Sequence, residues 1–167
     1  MARIVAWGTA FAVVAAILQS TLLSRLAVYH VVPDLVLGVI VYIAYVNGTM
    51  AGQLTGFFAG FALDFLSAAP LGFNALVRTV IGAIAGAVKG TFFLDILLLP
   101  AALCAIATLA KAVLVLALHL LFAGAVPAYS FAAPTLWIEV ALNAATAPPL
   151  FALLKLFRKI LQPRQGS

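Results

Sequence analysis

Four ionisable side chains interrupt otherwise apolar stretches of this sequence: Asp64, Arg78, Lys111 and Glu139. A charge at the centre of a bilayer costs about 2.5 to 3.5 kcal/mol on insertion scales, so each of these groups needs a partner. Asp64 and Arg78 flank a short turn, and a pair across that turn would neutralise both. Lys111 lies deeper in its own stretch. Glu139 and Asn143, four residues apart on one helical face, are placed to receive it. Two chemistries fit these types. Paired, the groups lock helices to one another. Left partly open and joined by Asn74, they line a polar pocket facing the outer leaflet that takes a ligand or a lipid headgroup. Gln19, Ser20 and Thr21 stand where they can line either arrangement.

Catalysis fits the same residues poorly. His30 and His119 are single histidines with no Cys, Asp or Glu at ligand spacing, so no metal site is expected. A G-x-S-x-G elbow is absent, and so is a phosphate-cradling P-loop. A two-aspartate intramembrane protease needs a second buried aspartate beside Asp64, and Asp95 falls at the cytoplasmic edge of its stretch. The regular charge pattern of a voltage sensor or proton relay is missing too. Cys104 stands alone in an apolar run, which excludes a disulfide framework and a thiolate cluster. No enzyme activity and no cofactor are expected.

The elements that must hold these groups follow from composition. Apolar residues make up 66% of the 167 and charged residues 8%, with a mean hydropathy of +1.26. Soluble domains run near a quarter charged, and no water-soluble core hides this much apolar surface. The formal charge of +5 would suggest nucleic acid in a soluble protein. Here five of the nine basic residues, Arg3, Lys155, Arg158, Lys159 and Arg164, sit at the two ends of the chain, which is an orientation signal for a membrane protein. Anionic lipid headgroups are the natural counter-charge for the last four, and nucleic acid is not an expected partner.

The chain accordingly divides into about six apolar helices, over residues 4–23, 34–46, 50–66, 71–89, 93–122 and 135–157, in one polytopic all-α domain spanning 1–167. The first stretch is long and lacks the small-x-small exit of a cleaved signal, so it reads as a retained helix. Pro33 and Asp34 mark the restart of helix two, and Asn47, Gly48 and Thr49 break it. Helices two and three are short for full spans. Helix five is longer than needed and carries Pro100 near its start, which predicts tilt or a kink. Six crossings return the chain to its starting side. Arg3, Lys89 and the basic tail, against only Arg25 opposite, mark that side as cytoplasmic. Trp137 and Tyr129 fall at the outer boundary, where amphipathic rings prefer to lie.

Glycines supply the packing signal. Gly48, Gly52, Gly56 and Gly60 recur every four residues ahead of Asp64, and Gly82, Gly86 and Gly90 repeat the interval on helix four. Such a row drifts by about 40° per step around a helix and forms an oblique ridge without side chains, along which a neighbouring backbone approaches closely. Measured from the turn between the two helices, Gly56 lies near the depth of Gly82 and Gly52 near Gly86.

The run Thr55, Gly56, Gly60, Leu63, Asp64, Ser67, Leu71, Gly72 and Leu76 resembles the central signature of the MreD family of bacterial rod shape-determining membrane proteins. Gln19, Pro33, Asn143, Pro148 and the basic tail at Lys155, Arg158 and Lys159 fall where that family's pattern places them. The resemblance covers nearly the whole chain, and its most specific part is G-x3-G-x3-D followed by Leu-Gly. It implies a non-catalytic scaffold of the cell-wall elongation machinery in the bacterial inner membrane. The implied partners are MreC and, through it, MreB filaments, the RodA glycosyltransferase and a class B penicillin-binding transpeptidase. It also implies a fold similar to the substrate-binding subunits of energy-coupling-factor vitamin transporters, six helices around an outward-facing cavity. A substrate-binding transporter subunit, with a pocket built from Asp64, Asn74, Arg78, Glu139 and Asn143, is the rival reading.

Overall fold

The computed structural model describes residues 1–21, 31–67, 69–90, 97–122 and 130–162. His30, Arg25, Asp95, Tyr129, Arg164 and the 93–96 start expected of helix five lie outside these residues. The described chain is all-helical: α1 Ala2–Thr21, α2 Leu35–Asn47, α3 Thr49–Leu66, α4 Phe73–Ala87, α5 Leu98–Leu121, α6 Pro134–Leu156 and a single turn, α7, at Arg158–Leu161. Pro100 falls in the first turn of α5, where its missing N–H has no intrahelical partner to lose, so it starts that helix and does not bend it. Pro148 and Pro149 are the prolines inside a helix, on α6.

Helix α2 is the axis of the bundle. Its nine consecutive residues Val36 to Ala44 are all buried, and α1, α3, α4, α5 and α6 each pack on it. A helix that is apolar on every face is stable only when surrounded, which explains why Leu-Val-Leu-Gly-Val-Ile-Val carries no polar stripe. With 13 residues it extends about 20 Å, less than the roughly 30 Å of a hydrocarbon core. Its start at Asp34 is buried and its end at Asn47 half-buried, so the polar backbone groups there need internal partners. At the far end, Asn47 Nδ2 donates to the carbonyls of Ile43 and Leu161, at 3.0 and 2.9 Å. Gly48, in the positive-φ region at 97°, then reverses the chain into α3 with no intervening loop.

Helices α3 and α4 meet along the glycine ridge, in a register one helical turn away from the one read from the sequence. A Cβ on Gly52 or on Gly82 would overlap the backbone carbonyl of the other. Gly56 lies against the Arg78 carbonyl, Gly60 against Asn74 and Ala75, and Gly86 against Gly48 and Thr49. The shift has a local cause. Because Gly60 is level with Asn74, α3 continues about 7 Å past the start of α4 before it ends at Leu66. The overshoot carries Asp64 over the first turn of α4, where its carboxylate accepts from the backbone N–H groups of Gly72, Asn74 and Ala75 at 2.9, 2.8 and 3.3 Å. Satisfying these helix-start donors sets how far the two helices slide. Gly90 stands apart from the packing row: among the described residues no atom comes within 4 Å of its would-be Cβ, and its φ of 68° serves the turn after α4.

The outer surface is apolar and the interior holds the polar groups. On α3, Phe57, Phe58, Phe61 and Phe65 are 44 to 68% exposed, and their rings touch one another in a ladder along the helix. Trp7, Ile17, Ile84, Ile106, Leu120 and Leu153 extend this surface around the other helices. Asp34, Asp64, Arg78, Glu139 and Asn143 are buried. Water would penalise this distribution and lipid accepts it. By length and composition, α1, α5 and α6 suffice to cross a membrane, and α2 and α4 are shorter apolar helices.

Candidate functional site

The polar interior converges on the start of α2. Asp34 is its N-cap, and one carboxylate oxygen accepts from the Leu37 N–H at 3.0 Å. This places a carboxylate on the positive end of the helix dipole. Arg78 of α4 reaches the same carboxylate through both terminal guanidinium nitrogens, at 3.2 and 3.1 Å. Lys111 of α5 donates to Asp34 at 3.0 Å and, on its other side, to Glu139 of α6 through a very short contact. Two cations and two carboxylates thus form one chain, Arg78–Asp34–Lys111–Glu139, with no net charge.

Neutral side chains complete the junction. The Asn143 side-chain oxygen accepts from the Asp34 N–H at 2.6 Å, and its Nδ2 donates to Thr108 Oγ1 at 2.9 Å. Thr108 in turn donates to the Cys104 carbonyl. The Gln19 side-chain oxygen accepts from the Leu35 N–H at 3.2 Å. The first N–H groups of α2, which no helix satisfies internally, are therefore met by Gln19 from α1, by Asn143 from α6 and by Asp34 itself. Helices α1, α2, α4, α5 and α6 all contribute to this one point.

A family model described as rod shape-determining protein MreD matches residues 1–157 of the 167. The chain belongs to the MreD family. No curated protein and no solved structure matches it. The MreD match spans α1 to α6, and with them every residue of the junction, and it stops before α7.

The pairing read from the sequence of this MreD-family chain needs one correction. Asp64 does not meet Arg78. The carboxylate of Asp64 is occupied by the start of α4, and Arg78, little more than one turn further on, points to Asp34 instead. Asn74 joins the Asp64 end: its N–H donates to Asp64 and its Nδ2 to Ser67 Oγ at 3.2 Å. Asp64 and Asn74 thus form a helix-capping site distinct from the junction of Gln19, Arg78, Lys111, Glu139 and Asn143. The residue that sequence reasoning missed is Asp34, taken there as a helix restart alone. The available signal was its charge: a carboxylate ahead of an apolar stretch in a membrane protein is itself an intramembrane ion. Thr108 carried no signal beyond being a hydroxyl in an apolar run.

Beside the junction is a cavity of about 320 Å3, lined by residues that include Gln19, Ser20, Ser67 and Arg78. The Arg78 Nε is buried and has no hydrogen-bond partner among the described residues. No group of three or more His, Cys, Asp or Glu that could hold a metal occurs among the described residues. What the junction does chemically is hold four helices at one point by ion pairs with no net charge, and a fifth, α1, by the hydrogen bond to Gln19.

Proposed function

We propose that this MreD-family protein is a non-catalytic scaffold of the cell-wall elongation machinery, a single helical domain of six crossings in the bacterial inner membrane with both termini cytoplasmic. Its direct partner in this reading is MreC, which connects it to MreB, RodA and a class B penicillin-binding transpeptidase in peptidoglycan synthesis. The observation that carries the reading, beside family membership, is the chain Arg78–Asp34–Lys111–Glu139: the intramembrane charges are spent on one another, and the outer surface is left apolar for lipid and for a partner's transmembrane helix. The orientation is supported by the grouping of charge. Arg3 reaches the carbonyls of Lys159 and Gln162, and Lys89 lies beside Gly48 at the end of α2, so these cations collect at one end of the bundle with Lys155 and Arg158. The test is retention of MreC by a tagged copy in mild detergent. Stoichiometric co-purification is expected, with rounding of the cells on depletion, and a tagged copy that retains no MreC would overturn the proposal.

The second reading, a substrate-binding transporter subunit, draws on the unpartnered Arg78 Nε beside the 320 Å3 cavity. It requires a small molecule in native mass spectra of the purified protein and an ATPase partner. The scaffold reading requires neither.

A further inference from the structure

A groove of about 800 Å3 opens at the basic end of the bundle, between α2, α5, α6 and α7. Its inner walls are apolar or aromatic, with Tyr45 from α2, Leu99 from α5 and Phe151 from α6, and Lys155, Arg158 and Lys159 stand along its rim. Among the described residues no carboxylate lines it. None of the three cations makes an ion pair among the described residues, where Asp34, Asp64 and Glu139 are all committed elsewhere.

The rim is held in place. Leu161 is fully buried, its carbonyl accepts from Asn47, and Arg3 donates to the carbonyls of Lys159 and Gln162. Helix α7 is thereby pinned across the ends of α1 and α2, and its side chains at Arg158 and Lys159 are exposed beside a fixed wall. On the α6 wall, Pro148 lines the groove, and it and Pro149 lack the N–H groups that would tie α6 to the turn before them.

We propose that this groove is a binding site for an anionic phospholipid, its phosphate held by Lys155, Arg158 and Lys159 and an acyl chain lying along Tyr45, Leu99 and Phe151. Charge complementarity selects this occupant. An apolar slot alone accepts any acyl chain, whereas three clustered cations with no counter-ion among the described residues, at the end of membrane-length helices, favour a headgroup of net negative charge. Arg158 and Lys159 lie just beyond residues 1–157, which the family model matches. The site depends on insertion in a bilayer and not on binding of MreC.

The test is native mass spectrometry of the full chain, released from detergent with equal amounts of phosphatidylglycerol and phosphatidylcholine of matched acyl chains. The wild type is expected to retain phosphatidylglycerol preferentially. With each cation worth about 1 kcal/mol near an anionic headgroup, every substitution among Lys155→Gln, Arg158→Gln and Lys159→Gln lowers that preference by about five-fold. Because these side chains are exposed, the variants keep the bundle packing. Ala152→Trp, which fills the groove from α6, reduces retention of both lipids. Equal retention of the two lipids by the wild type, or an undiminished preference in the triple variant, overturns the proposal. The measurement uses no partner protein, so loss of MreC retention alongside an intact lipid preference would sink the scaffold reading alone.

Discussion

Arg78 on α4 grips Asp34 at the start of α2 with both terminal guanidinium nitrogens, and the same carboxylate also receives Lys111 from α5. One buried carboxylate therefore balances cations from two helices, while Glu139 balances the second cation from α6.

Removing that carboxylate exposes the imbalance. Asp34→Asn keeps a side-chain acceptor for the Leu37 N–H but leaves two cations facing Glu139 alone. Breaking a buried pair on one side costs roughly 3 to 5 kcal/mol. A lowered midpoint of thermal unfolding in detergent is expected. Adding Arg78→Gln restores neutrality, so the double variant should be more stable than the sum of the two single losses. Plain additivity would show that the two side chains do not act as a pair.

Asp64 is predicted to behave differently. Asp64→Ala removes the acceptor for three N–H groups at the start of α4, a loss of about 1 to 2 kcal/mol by comparison with other helix caps. Since Asp64 and Arg78 share no partner, their substitutions should add to within about 0.5 kcal/mol in the same melting assay. A strong coupling between them would reinstate the pair across the turn and contradict the geometry.

Two glycines separate close packing from backbone conformation. Gly82→Ala drives a methyl into the Gly52 carbonyl, with rigid backbone on both sides, and should cost about 3 kcal/mol. Gly72→Ala meets no atom of the described residues but must hold a left-handed φ of 91°, which costs about 1 to 2 kcal/mol. Equal melting shifts for the two would mean that α3 and α4 are free to separate.

Asn143 bridges α2 and α5 from its place on α6. Asn143→Leu leaves the Asp34 N–H without its acceptor and Thr108 without its donor, and the expected loss is about 1 to 3 kcal/mol. Thr108→Val removes only the second of these contacts and should be the milder change. The reverse order would place the main role of Asn143 elsewhere.

The junction was partly legible before any coordinates. Lys111, Glu139 and Asn143 announce themselves as polar groups in apolar stretches that need partners, and the interval of four puts the last two on one face. Asp34 escaped notice because Pro-Asp ahead of an apolar run is also an ordinary helix start, and it serves as both. The Asp64–Arg78 pairing failed for a related reason. Counting residues from a turn treats the turn as symmetric, but α3 runs past the start of α4 so that Asp64 can accept three backbone N–H groups. The competing acceptor role of the carboxylate is invisible in the spacing.

Composition and periodicity by themselves determined that this chain is an all-helical membrane protein, that its glycine rows bring two helices into close contact, and that its intramembrane charges need one another. These depend on local quantities: apolar content, helical repeat and the cost of an isolated ion in hydrocarbon. Tertiary structure decided which charge meets which and at what register α3 and α4 slide. It also decided that the 13-residue α2 is the centre of the bundle. Each of these is a choice among several partners of nearly equal type. It is settled by long-range packing around α2, whose two ends find hydrogen bonds with five other helices at once.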